Sequence, residues 1–281
     1  MIKEHLPVDS CGLGEGPLWH PKLELLFWFD INACKMFCWK GNELKVWNFS
    51  EPVSAAGWID EENLIVASAS SLIKLSLESD HRKVLVDLEA DIKHTRSNDG
   101  RADPWGGFWI GTMAKDHEKH AGAIYRYYRG ELRKILPNIS ISNAICFAPD
   151  GSFAYFADTP CQSIQKWQLS EADGWPVGEP EQFVDLRPQN LNPDGAVVDA
   201  AGNIWNAQWG AHRVAVYDSE GNFLDQITFP ASQISCPAFG GANLSTLFVT
   251  SAATGVREPL AGQTFFKATE ALGQAEHQVI L

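Results

Sequence analysis

The sequence predicts an all-β fold, a six-bladed β-propeller with four-stranded blades around a central channel. Three observations carry that expectation. A small residue, preceded by a polar one in four cases, recurs at positions 16, 57, 100, 144, 195 and 238, in steps of 41, 43, 44, 51 and 43. Each is followed seven to nine residues later by an apolar strand, so the chain reads as six similar hairpin units, the spacing a propeller needs. Long apolar patterns at the helical period of 3.6 are absent, which disfavours an αβ-barrel, whose strands alternate with helices.

The elements follow in order. Glu15-Gly16 leads through PLWHPKLE to LLFWFD, then KMFCW and LKVWNF. Ala56-Gly57 precedes LIVASA, SLIKLSL and RKVLVDL; Asp99-Gly100 precedes FWIGTM, AIYRYY and LRKIL. Asn143-Ala144 precedes FAYFAD, SIQKWQL and EQFVDL, and Asp194-Gly195 precedes IWNAQW, RVAVYD and FLDQITF. Pro237-Ala238 precedes LFVTSA and then only TFFKAT, so the sixth blade is one strand short and N-terminal residues are expected to complete it. The long step of 51 is assigned to the polar stretch SEADGWPVGEPEQ, an insertion between strands. One domain, residues 1–281, is expected.

Composition narrows the class. With 45% hydrophobic and 20% charged residues over 281 positions, the chain is an ordinary globular one. Eleven tryptophans suit half-buried pleated surfaces. A net charge of −13 argues against nucleic-acid partners and a polybasic membrane patch. Neither a signal-like N-terminus nor a run of eighteen apolar residues occurs, so a cytoplasmic location is expected. Cys11, Cys34, Cys38, Cys146, Cys161 and Cys236 have no C-x-x-C or zinc-type spacing and are read as thiols packed as small apolar groups.

The residues just before the small positions are Glu15, Ala56, Asp99, Asn143, Asp194 and Pro237. At one repeat phase they point into one channel, where four oxygen-bearing side chains are costly without a positive partner. Glu15, Asn143 and Asp194 together suit a divalent cation, with positions left for water or substrate. Taken singly, Asp-Gly and Asn-Ala are common turn punctuation, and only the shared phase lifts the functional reading.

GLGEGPLWHP, RSNDGRADPWGGFWIGTM, ISNAICFAPDG, NPDGAVVDAAGNIW and SCPAFGG, in that order over about residues 11–255, resemble the signature blocks of the SMP-30/gluconolactonase/luciferin-regenerating family. The resemblance implies a six-bladed propeller holding one divalent cation, calcium first, with zinc, magnesium or manganese as alternatives. It implies hydrolysis of a small-molecule sugar lactone to an aldonic acid. The metal glutamate, asparagine and aspartate fall on Glu15, Asn143 and Asp194, and the substrate-binding arginine and asparagine on Arg96 and Asn98. A substrate-contacting glutamate falls on Asp116, one methylene shorter.

Asp194 is the candidate base, able to touch both cation and water. Arg96 suits either a fork of hydrogen bonds to substrate oxygens or an ion pair with Asp99 or Asp103. Trp105, Trp109, Trp205 and Trp209 are read first as sheet-packing core and second as sugar-stacking rings. His117 and His120 lie in the polar run KDHEKH, a loop or lid over the channel. A regucalcin-type cation-binding protein without turnover, an ester or phosphotriester hydrolase and a WD40-like interaction propeller are the rivals. The last lacks its Gly-His and Trp-Asp signatures here. Oligomeric state is left open.

Overall fold

A computed structural model describes residues 4–281 as six antiparallel sheets. Five have four strands and the sixth has three: Ile234–Gly240, Thr246–Ser251 and Phe265–Ala268. The fourth place beside Phe265–Ala268 is taken by the N-terminal residues. His5 bridges Phe265, the Leu6 amide donates to the Thr264 carbonyl at 2.9 Å, and the Phe266 amide to the Glu4 carbonyl at 2.9 Å. The short sixth repeat is completed as expected, and the ring closes without a free edge at this seam.

The innermost strands are Gly14–His20, Val53–Trp58, Thr95–Ala102, Ser142–Phe147, Asn192–Val198 and Ile234–Gly240, each packed against the next around the channel. They are almost wholly buried, whereas outer strands such as Glu43–Asn48 and Phe223–Thr228 are mostly exposed. Aromatic side chains fill the spaces between blades. Trp28, Trp109, Phe27, Phe29 and Phe108 are completely buried.

Every innermost strand carries a break in register with its hairpin partner. The breaks lie at Glu15/Leu18, Val53/Ala55, Ser97/Gly100, Asn143/Cys146, Pro193/Ala196 and Ile234/Pro237. A β-bulge re-aims side chains and tightens the twist. Gly16 has φ of 55°, and a Cβ there would lie 2.2 Å from the Ser54 carbonyl oxygen of the next blade. Ala144 takes the same left-handed conformation, φ 58°, despite its methyl group. In blades one, four and five the repeated small residue (Gly16, Ala144, Gly195) lies within the break, whereas Gly57, Gly100 and Ala238 sit in regular register beside Ile65, Ile110 and Phe248.

At the opposite end of the channel, residues 272–281 form a strap across the ring. Backbone bonds tie it to blade six (Gly273 amide to Leu244 carbonyl), blade five (Ala200 amide to Leu272 carbonyl), blade two (Val279 amide to Trp58 carbonyl) and blade three (Ile280 amide to Gly106 carbonyl). The Gln274 amide donates to the carbonyls of Phe147 and Val198, and the Trp58 indole to the Glu276 carbonyl.

The insertion folds back over blade three, where Arg126 is stacked between Tyr128 and Trp175 and ion-paired to buried Asp103 at 2.6 Å. All six cysteines are free. Cys11, Cys38, Cys146 and Cys236 are buried and Cys34 is half-buried, but Cys161 is exposed in the turn Thr159–Cys161, a correction to the uniform reading of packed thiols. No helix among the described residues is long and apolar enough to cross a membrane.

Candidate active site in the channel mouth

A cavity of about 320 Å³ opens at the entry end of the innermost strands. Its polar lining is Glu15, Arg96, Asn98, Asn143, Thr159, Asp194 and His117, and its apolar lining Leu13, Met113, Ile141 and Trp209. Four blades therefore bring together the five residues Glu15, Arg96, Asn98, Asn143 and Asp194 that the sequence singled out. Four of the five, Glu15, Asn98, Asn143 and Asp194, lie at or within a register break, which re-aims the side chain; in blade three it is Asn98 and not Asp99 that reaches the cavity.

The five are held by a connected set of bonds. Asn98 Nδ2 donates to Asn143 Oδ1 at 3.0 Å and to the Ser142 carbonyl at 2.8 Å. Asn143 Nδ2 donates to Thr159 Oγ1 at 2.8 Å, and that hydroxyl donates to the Pro193 carbonyl, the neighbour of Asp194, at 2.8 Å. This arrangement fixes the Asn143 amide and leaves one lone pair of Oδ1 free. Arg96 donates to the Ser97 carbonyl and to Asn98 Oδ1, at 2.8 and 2.7 Å, and pairs with neither Asp99 nor Asp103. Asp103 is taken by Arg126, and Asp99 accepts the Ile145 amide at 2.7 Å beneath the site.

Electrostatically the site is starved of positive charge. Burial, then the charge of Asp99, pushes the Glu15 carboxyl up to about 8, against the weaker pull of its bond from Gly16 and of Arg96. Asp194 is raised well above its ordinary value by burial, then by Glu15 and Asp99. Asp99 is raised to about 6, chiefly by burial. Even Arg96 is lowered to about 10 by burial, partly restored by Glu15 and Asp194. Among the described residues neither Glu15 nor Asp194 has a salt-bridge partner.

That donor set fits a hard divalent cation: two buried carboxylates, one amide oxygen with a free lone pair, and room for waters. No group of three or more His, Cys, Asp or Glu side chains among the described residues is arranged to hold a metal, so the fit rests on two carboxylates and an amide.

Asp116 is not brought to the cavity. It is exposed, and its Oδ1 accepts the Glu118 amide at 3.3 Å. The next residue, His117, turns in instead, at φ 63°. Of the tryptophans, Trp109 and Trp205 are core, Trp105 packs on Gly151 and Gly174, and Trp209 alone of the four lines the cavity. Thr159 and Met113 were missed, while Trp209 lies where its second reading, a ring beside the sugar, would put it. All three sit at or just past the exit end of a second hairpin strand, so the repeat phase of that strand was the available signal.

A family model described as the SMP-30/gluconolactonase/LRE-like region matches residues 13–253. The chain belongs to this family. An SMP-30/gluconolactonase/LRE-like relative from Rhizobium meliloti (strain 1021), which carries the provisional name sugar lactone lactonase, is 38% identical over 94% of this chain and 92% of its own. The L-arabinolactonase of Azospirillum brasilense is 33% identical over 94% of this chain and 90% of its own. Among solved structures, the calcium-binding protein regucalcin from Agrobacterium tumefaciens str. C58 superposes with a TM-score of 0.96 at 35% identity, covering 99% of this chain and 97% of that one.

Proposed function

We propose that this protein hydrolyses sugar lactones to aldonic acids with one divalent cation in the channel mouth. The observation that carries the reading is the convergence of Glu15, Asn143 and Asp194, two of them buried carboxylates without a cationic partner, beside Arg96 and Asn98 in one open cavity. The lactonase names of two relatives that match nearly the whole chain support the substrate class.

Glu15, Asn143 and Asp194 are the residues that hold the cation. When bound, it supplies polarisation of the lactone carbonyl and acidification of a nearby water. Arg96 and Asn98 orient the sugar: the guanidinium has donors beyond those it gives to Ser97 and Asn98, and the lactone ring offers hydroxyl oxygens. Asp194 accepts the proton of the attacking water. Water oxygen bonds to the carbonyl carbon, the ring C–O bond breaks, and the released alkoxide takes up a proton as the aldonic acid forms. The product is an anion, which the chain's net charge of −13 disfavours, aiding release.

A second reading, cation binding without turnover, is favoured by the similarity to the calcium-binding protein regucalcin. One experiment separates the two. Metal-stripped protein, refilled with calcium, zinc, magnesium or manganese, is presented with glucono-, galactono-, xylono- and arabinonolactone in a pH-indicator assay. Cation-dependent acid release with at least one lactone is expected. Failure with every pair, in protein that still binds the ion, overturns the enzymatic reading.

A further inference from the structure

The turn after the second strand of blade three offers a group that the repeat did not single out. Residues 115–120 are all exposed, yet among them only His117 lines the cavity. The turn is braced on both sides. The Lys115 amide donates to the His94 carbonyl at 2.8 Å and Lys115 Nζ to the Lys93 carbonyl at 2.7 Å. The His120 amide donates to Ser140 Oγ at 3.2 Å, and its ring bonds the Asn138 carbonyl at 3.1 Å. Within the turn the His117 amide donates to the Ala114 carbonyl at 3.1 Å, and φ of 63° swings the residue inward while Asp116 faces out. The His117 ring itself makes no hydrogen bond among the described residues.

Leu13, Met113, Ile141 and Trp209 also line the cavity, and the Thr159 hydroxyl is spent on Asn143 and the Pro193 carbonyl, so the imidazole is a lining group free both to donate and to accept. If the reacting carbonyl lies by Glu15, Asn143 and Asp194, the far side of a sugar lactone, with its hydroxyls and exocyclic arm, extends toward this rim. We propose that His117 is a substrate-contacting, specificity-determining residue that hydrogen-bonds a hydroxyl of the bound lactone. In this chain an imidazole, and not the carboxylate of Asp116, reads that part of the sugar. The proposal rests on the lactonase reading.

The test compares His117→Ala with wild type on the best sugar lactone and on δ-valerolactone, which has no hydroxyl to read. Loss of one hydrogen bond predicts a KM about tenfold higher for the sugar lactone, with kcat within about twofold and with δ-valerolactone kinetics unchanged. His117→Gln, which keeps a donor and an acceptor, restores most of the KM. An equal loss on both substrates, or an unchanged KM with Asp116→Ala raising it instead, overturns the proposal. A binding arm stands apart from turnover: D-gluconate titrated into wild type is followed through the His117 ring NMR signals, identified by their loss in His117→Gln. Ring shifts are expected. Their absence overturns the role of His117 even where hydrolysis is found, and their presence without any hydrolysis separates failure of the enzymatic reading from failure of this one.

Discussion

At the mouth of the channel Glu15 and Asp194 lie buried with no salt bridge to a basic side chain among the described residues; at the other end Glu276 of the strap closes onto Arg101 from the blade-three strand. Both ends are lined by the same six strands and both bury carboxylates. At the closed end the charges are matched. Arg101 also donates to the Ala196 carbonyl at 3.3 Å, and although burial works against its charge, Glu276 leads the neighbouring groups, Asp99 among them, that together hold it above its ordinary value. Buried charge is tolerated when paired and costly when not. The closed end is consequently built for stability, and the mouth keeps an electrostatic deficit that only a ligand can relieve.

Substitutions of one kind should therefore act in opposite directions at the two ends. The largest effect is expected in turnover: Asp194→Asn lowers lactone hydrolysis about 10²–10⁴-fold, the range for removing a general base. Steady-state rates measure it, and circular dichroism checks that the sheets remain. Next is Arg101→Met, which leaves Glu276 buried alone and should cost about 3–5 kcal/mol in urea unfolding. Glu15→Gln in metal-free protein near pH 7 should stabilise instead, because the folded carboxyl must hold a proton at a pH where the unfolded one is ionised, a cost the amide does not carry. A loss of stability in both variants would break the contrast.

The smallest effect is a pH slope. The folded Glu15 carboxyl, at about 8, holds its proton above the ordinary value of 4.5. Between those values the folded chain binds more protons than the unfolded one, so stability falls as pH rises through the window. Metal-stripped protein should melt at progressively lower temperature from pH 5 to pH 8. Added divalent cation should flatten the slope, since it takes the place of the proton. Thermal scans at each pH check both halves.

How much of this could be read beforehand varied with the origin of each feature. The six blades were legible because a small residue recurs along every innermost strand at nearly constant spacing. Glu15, Asn143 and Asp194 were legible from the same phase: Glu15 and Asn143 edge a register break and Asp194 lies within one, and all three line the cavity. Asp116, placed by the resemblance, does not line the cavity, and the left-handed residue beside it, His117, does; a motif match does not reveal a reversed φ. The strap was invisible. Its sequence has no periodicity, and it is held by glutamine and tryptophan bonds to carbonyls that no pattern of hydrophobicity reports. Arg96 stood open between two roles until Asp103 proved to belong to Arg126.

The strap has a further consequence in vectorial synthesis. Translation runs from N- to C-terminus, so residues 272–281 emerge only after all six blades. Until then Arg101 waits without Glu276, and the nascent ring lacks the cross-tie that spans blades two to six. A chain cut short before Glu276 would keep the strands of every blade with its buried arginine stranded, a candidate for quality-control proteases despite an unaltered channel mouth.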